Sequence, residues 1–182
     1  MAGLTMLLGR GALSRLACEL TGVGREDRVV DVGCGPGGAV RQAASRGARV
    51  TGVDPAPVML GLARTLTRRP GVAWLEGTAE ALPVPEGAAT VLWSIATVHH
   101  WSDLDTGLAE AGRALAPGGR LLVAERRTRP GATGLASHGW TDEQAATFAD
   151  LCLGAGFTDV QTERREAGRH RLWVVQAVKP GP

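Results

Sequence analysis

The stretch Val29-Val-Asp31-Val-Gly33-Cys34-Gly35-Pro36-Gly37-Gly38 decides how this chain is read. Its first half, with Arg28 in front, is a short β-branched run that stops at glycines, so it predicts a buried strand over 28–32. Its second half opens a helix predicted over 37–46. Glycines between a strand and a helix let a ligand come close to the backbone, and the helix N-terminus favours an anionic group. Twenty-one residues after Gly33, at the end of the next apolar run (Arg49-Val-Thr-Gly-Val53), stands Asp54. An acidic residue there accepts from both hydroxyls of a ribose. Together these features point to a nucleoside-containing ligand. Asp31, two residues before the first glycine, repels a pyrophosphate but suits an ammonium group.

Further along, Pro55 is placed in the first turn of a helix running to about Arg68. Strands are predicted at 72–76 and 90–95, and a helix over 103–116 that ends at Pro117-Gly118-Gly119. A fifth strand covers 120–125, and 126–140 reads as a loop able to act as a lid. A helix follows over 142–154, with Thr141 as N-cap. Two final strands, 157–164 and 171–178, have no helix between them and should pair antiparallel. Near the start, Leu4, Leu7, Leu8, Leu13, Leu16, Ala17 and Leu20 form a helix-like stripe interrupted by Gly9 and Gly11. Alternating strands and helices imply right-handed crossovers in a mostly parallel α/β sheet, with ligands at the carboxyl ends of the strands. The 182 residues are expected to form one domain: a helical segment (1–24), a ligand-binding core (25–125), the loop, and the closing helix with its strand pair (141–182).

Composition narrows the partners. Lys plus Arg number 20 and Asp plus Glu 18, a net charge of +2 that argues against a dedicated nucleic-acid binder. The clusters Arg126-Arg127-Thr-Arg129 and Arg164-Arg165 with Arg169-His170-Arg171 lack interleaved aromatics and read as a solvated surface. Three cysteines far apart in sequence suggest neither a disulfide framework nor a metal site. No apolar run approaches a membrane span, and no basic stretch precedes the apolar start as in a secretory leader, so the expected location is cytoplasmic.

At this point the residues resemble a known family. Asp31-Val-Gly-Cys-Gly-Pro-Gly37 followed by Val50-Thr-Gly-Val-Asp54 is similar to motifs I and II of the class I S-adenosylmethionine-dependent methyltransferases. Glu76-Gly-Thr-Ala-Glu-Ala-Leu-Pro-Val-Pro-Glu-Gly87, His99-His100-Trp101 and Arg113-Ala-Leu-Ala-Pro-Gly-Gly-Arg-Leu-Leu122 are similar to later blocks of its small-molecule group, the ubiquinone/menaquinone-biosynthesis-like type 11. The resemblance covers about residues 25–125. It implies a Rossmann-like, doubly wound sheet of seven strands in the order 3-2-1-4-5-7-6, with strand 7 antiparallel and helices on both faces. It also implies S-adenosyl-L-methionine as cofactor. Gly33, Gly35 and Gly37 would wrap its methionine part, with Cys34 a small filler among them. Asp31 would serve its ammonium, and Asp54 the ribose. Thr78, Ala79 and Glu80 would meet the adenine, with Pro55 and Ser94 completing the lining. The family usually carries Asp at the position of Thr78, so Glu80 is a candidate to assist there. It also tends to carry Asp where Thr90 stands.

Methyl transfer from a sulfonium is an in-line displacement that needs alignment and exclusion of water. A base is needed only when the nucleophile arrives protonated. His99 and His100 follow the fourth strand and are the candidate catalytic bases. Glu125, Trp101 and Trp140 are candidate substrate contacts. Against those roles stand a salt bridge from Glu125 to Arg126 or Arg127, and packing of Trp101 on the next helix. His138 lies in the loop beside Trp140. No metal is expected. No Asn-Pro-Pro-Tyr-like or Pro-Cys motif follows the fourth strand, which argues against methylation of adenine or glutamine amino groups and of cytosine C5.

Three readings follow. One is a methyltransferase acting by direct transfer on an O, N or C atom of a small molecule. A second is a non-catalytic methyltransferase-like module that binds a partner protein. A third is an NAD-dependent oxidoreductase, against which Asp31 counts. The chain offers little to cover a substrate, so a second subunit, as in a homodimer, is one expected means of closing the pocket.

Overall fold

A computed structural model describes the backbone of residues 2–181 and the side chains of 11–134 and 137–181. Among these residues the chain alternates α1 (Ala2–Thr21), β1 (Arg28–Val32), α2 (Gly38–Ser45), β2 (Arg49–Asp54), α3 (Pro57–Leu66), β3 (Val72–Glu76) and β4 (Ala89–Ile95). It continues with α4 (Leu104–Ala114), β5 (Leu115–Arg126), α5 (Asp142–Gly154), β6 (Thr158–Ala167) and β7 (His170–Val178). The strands form one sheet in the order β3-β2-β1-β4-β5-β7-β6. The first five run parallel, and β7 is antiparallel to both neighbours. This is the expected order. The reversal follows from a tight turn at Gly168, which leaves Ala167 facing His170.

The two-residue period of the strands divides the core. Val29, Val50, Val91, Trp93 and Leu122 pack beneath α1, α2 and α3, with Leu13, Ala17, Val40 and Leu60. Val30, Val32, Leu92, Leu121 and Val123 pack beneath α4 and α5, with Leu108, Ala111, Ala145 and Phe148. Leu4, Leu7 and Leu8 of the N-terminal stripe lie outside the described side chains. No helix among the described residues is long and apolar enough to cross a membrane.

The structure corrects several boundaries, among them the end of α4 at Ala114 rather than 116 and of β6 at Ala167 rather than 164. Pro55 precedes α3, and the proline at the first helical position is Pro57, after Ala56 as N-cap. The α3 helix ends at Leu66 rather than near Arg68. Strand β5 begins at Leu115, because the Gly118 N–H donates to Lys179 O and Lys179 N–H donates to Gly119 O, drawing the Pro-Gly-Gly segment onto the sheet. Thr141 does cap α5. Its hydroxyl accepts from Gln144 N–H, and the Gln144 side chain accepts from Thr141 N–H.

Candidate active site at the carboxyl edge of the sheet

The glycine-rich turn is hung on β2. The N–H groups of Gly33 and Cys34 both donate to Val53 O, at 2.8 and 3.0 Å. Gly33, Gly35 and Gly37 all have φ between +51° and +78°, the left-handed region where side chains are strained. A Cβ on Gly33 would strike the Thr97 side chain, and one on Gly37 would enter the ring of Trp74. Asp31 is buried on the α1/α2 side of β1. Cys34 is buried within the turn. Burial, with the Asp31 and Asp54 carboxylates nearby, pushes its thiol well above the usual range, so it stays protonated and is no nucleophile.

Asp54 is buried at the end of β2. Its Oδ2 accepts from Gly35 N–H at 2.8 Å and its Oδ1 from Ala56 N–H at 2.9 Å. A carboxylate has about four acceptor positions. Two are used to fix its orientation, and two remain for the vicinal hydroxyls of a ribose. The glycine cradle, the oriented Asp54 and the buried Asp31 fit the nucleoside and amino-acid ends of S-adenosylmethionine.

Of the residues expected to meet the adenine and line its site, Ala79 is buried, and Thr78 and Pro55 are exposed. Glu80 is turned toward α4. Its Oε1 accepts from Ser102 N–H at 2.7 Å, Ser102 Oγ at 2.9 Å and Asp103 N–H at 3.3 Å. Partial burial would raise its pKa, but these donors outweigh it and hold the carboxyl down at about 2. Because the folded pKa is depressed, the stability it contributes is present above the ordinary value of 4.5 and is lost as pH falls toward about 2. Wild type should therefore melt above Glu80→Gln at neutral pH, and thermal scans should show the gap closing below pH 4.5. Thr90 lies away from the site, at the amino edge. It donates to Asp27 Oδ1 and accepts from Arg28 N–H.

The residues expected to face an acceptor lie in the turn after β4 and at the end of β5. Ala96 takes φ +56°, and its N–H donates to Ala124 O at 2.7 Å, which bends the chain off β4. Thr97 was not singled out from the sequence. Its Oγ1 donates to Val32 O and sits 2.6 Å from the hydroxyl of fully buried Ser94, bracing Gly33 from the far side. Glu125 is fully buried. Its partner is neither Arg126 nor Arg127. Oε1 accepts from Val98 N–H at 2.7 Å and from His99 N–H at 3.4 Å, and Oε2 lies 3.0 Å from His99 Nδ1. A carboxylate only accepts, so in the neutral ring the hydrogen sits on Nδ1 and the lone pair on Nε2.

His100 and His138 complete a cluster with His99, with ring centroids 4.0 to 5.6 Å apart. Three of the chain's four histidines thus meet. Burial, then the neighbouring His99 and His138, lower the pKa of His100. Its neutral form is therefore favoured, and the stability this contributes is lost as pH falls through its range.

Both tryptophans pack against α5, Trp140 buried and Trp101 half-buried. Trp140 is buried and lies 4.7 Å from the Phe148 ring. Its N–H donates to Arg126 O, and its carbonyl accepts from Thr128 N–H. Trp101 packs over Gly107, where a Cβ would lie 2.5 Å from its ring, and meets Phe148 edge-on. The Trp140 main-chain bonds to Arg126 and Thr128 clasp the loop shut at its base. A groove of about 450 Å³ between Arg28, Arg49, Gly71 and Pro83–Pro85 lies at the opposite edge of the sheet and holds none of these residues.

Comparison with known proteins agrees with this geometry. The model of the family described as "Methyltransferase domain" matches residues 30–123. Demethylmenaquinone methyltransferase of Tropheryma whipplei (strain Twist) is 37% identical over 112 residues, covering 61% of this chain and 46% of the relative. The chain thus spans about half the length of that relative. The uncharacterized methyltransferase YdaC of Bacillus subtilis is 26% identical over 165 residues, covering 90% of this chain and 89% of the relative. Among solved structures, a SAM-dependent methyltransferase from Aquifex aeolicus superposes with a TM-score of 0.78 at 18% identity, over 93% of this chain and 92% of the other. A chain in the complex of the Haloferax volcanii Trm112 methyltransferase activator with a putative methyltransferase gives 0.80 at 22% identity, over 94% and 90%. With the family model spanning more than half its length and the sheet order in place, this chain belongs to the class I S-adenosylmethionine-dependent methyltransferases of the type 11 group.

Proposed function

We propose that the chain moves a methyl group from S-adenosylmethionine to an O, N or C atom of a small molecule by direct in-line displacement. The observation that carries this reading is the pairing of two oriented carboxylates along one sheet edge. Asp54 is pinned by Gly35 and Ala56, and Glu125 is bonded to His99. The cofactor, when bound, supplies an electrophilic methyl on a sulfonium. Asp54 and the glycine turn hold and orient the nucleoside and methionine ends. His99 Nε2 takes the proton of a protonated acceptor, and Glu125 keeps that nitrogen's lone pair available. A small-molecule acceptor is supported by the names of relatives such as the demethylmenaquinone methyltransferases, and an oxygen acceptor by that of a malonyl-[acyl-carrier protein] O-methyltransferase of Serratia marcescens, 39% identical over 98 residues.

Calorimetric titration tests the donor side. S-adenosylmethionine and S-adenosylhomocysteine should bind wild type at micromolar concentration, and NAD should not. Asp54→Ala should weaken the adenosyl ligands about 10- to 100-fold, the loss of hydrogen bonds to a charged group. Silence of the wild type toward both adenosyl ligands would overturn the reading and favour a non-catalytic module.

A further inference from the structure

The histidine cluster has the makings of a second kind of site. His99 and His100 come from the turn after β4, and His138 from the loop after β5. One ring nitrogen of each lies within 4.8 Å of those of the other two. Behind His99 stands a fully buried carboxylate, Glu125, 3.0 Å from Nδ1. This outer carboxylate, a ligating imidazole and an open side are the parts of a metal centre in which the second ring nitrogen is held so that the first can ligate. Three imidazoles with no thiolate and no carboxylate in the first rank select zinc, copper, nickel or cobalt over magnesium or calcium.

Tetrahedral coordination at about 2.0–2.1 Å needs ligand atoms about 3.4 Å apart. His100 and His138 are both exposed, so rotation of their side chains can close the gap around the fixed His99.

We propose that His99 Nε2, His100 and His138 bind one divalent ion of the zinc class, and that its fourth position takes the oxygen atom of the methyl acceptor. With the ion bound, Nε2 is a ligand rather than a base. The acceptor then loses its proton to solvent on coordination. In transfer, a lone pair of that atom forms the new bond to the methyl carbon, the carbon–sulfur bond of the sulfonium breaks, and its electron pair returns to sulfur. The ion site stands on the histidines alone. Only the role of its fourth position rests on the methyl-transfer reading.

The test uses untagged full-length protein stripped with a chelator and titrated with Co²⁺. A tetrahedral visible spectrum should saturate at one equivalent and be displaced by Zn²⁺. His138→Ala and His100→Ala, both at exposed positions, should each weaken binding at least about tenfold, and Glu125→Gln about 10- to 100-fold. Absence of the tetrahedral spectrum, or equal affinity in the His100→Ala/His138→Ala double variant, would overturn the site. A simple phenol added to the cobalt protein should shift the spectrum. An unchanged spectrum would overturn the assignment of the fourth position. S-adenosylhomocysteine titrated into the same samples separates the two readings. If it binds while cobalt gives no spectrum, the ion site alone falls. If cobalt saturates while it does not bind, the ion site stands and the methyl-transfer reading falls.

Discussion

Glu125→Ala is expected to reduce methyl transfer about 10²- to 10⁴-fold, the span of a general base, and to destabilise the fold by about 2–4 kcal/mol. The side chain is fully buried and accepts from Val98 N–H, from His99 N–H and at His99 Nδ1. Alanine leaves a cavity and at least one buried donor without a partner. The turn over Val98–His100 loses its anchor, so His99 loses both position and tautomer. Glu125→Gln separates these effects. It fills the same space and can still accept from Val98 N–H, while its amide nitrogen toward Nδ1 moves the ring hydrogen to Nε2. Its melting temperature should stay near wild type and S-adenosylhomocysteine affinity should not change, yet turnover should remain low across pH. Full turnover in Glu125→Gln would remove Glu125 from its positioning role.

Gly37→Ala should destabilise the protein by about 3–5 kcal/mol, at the upper end of single-residue effects. Two terms add. The residue sits at φ +78°, where a side chain costs about 1–2 kcal/mol. The new Cβ would also enter the ring of Trp74, which is already wedged against Gly52, where a Cβ would lie 2.6 Å away. Trp74 is half-buried against the core beneath α1, α2 and α3, so moving it aside gives up that packing. Cofactor affinity should fall with stability, since the same turn supplies the cradle. Denaturant titration measures the first effect and calorimetry the second. Trp74→Leu in the Gly37→Ala background should recover part of the loss by relieving the collision. A shift below about 0.5 kcal/mol in Gly37→Ala, the range of ordinary surface substitutions, would contradict this account.

The donor half was legible because its signals are local. Asp31, the three glycines and Asp54 sit at fixed offsets from two strands, and strand–turn–helix geometry turns those offsets into a site. The acceptor half was not, because it is made by returns of the chain. Glu125 was weighed against Arg126 and Arg127, its neighbours in sequence, but its partner His99 is 26 residues away. His138 joins only because the loop is clasped at Arg126 and Trp140. That clasp also fixes the place of Trp140. The sequence places it beside the 126–139 loop, and main-chain bonds with Phe148 hold it in the core, neither of which is signalled by its neighbours in sequence. Glu80 shows the same limit, since nothing near it in sequence signals that Ser102 and Asp103 claim one of its oxygens. For Thr97, a short polar residue after a strand carried no signal that it would brace Gly33.

The clasp has a consequence for how such a chain can diversify. Arg126 and Trp140 are tied by their own backbone, so the residues between them close a cycle whose ends do not move when its length changes. Lengthening a loop of this kind adds only about 0.6 kcal/mol of closure entropy per doubling. The nucleoside-facing residues hang from β1 and β2, on the other side of β4. On the proposed function, insertion between Arg126 and Trp140 would retune the choice of acceptor while the residues assigned to the methyl donor stay as they are.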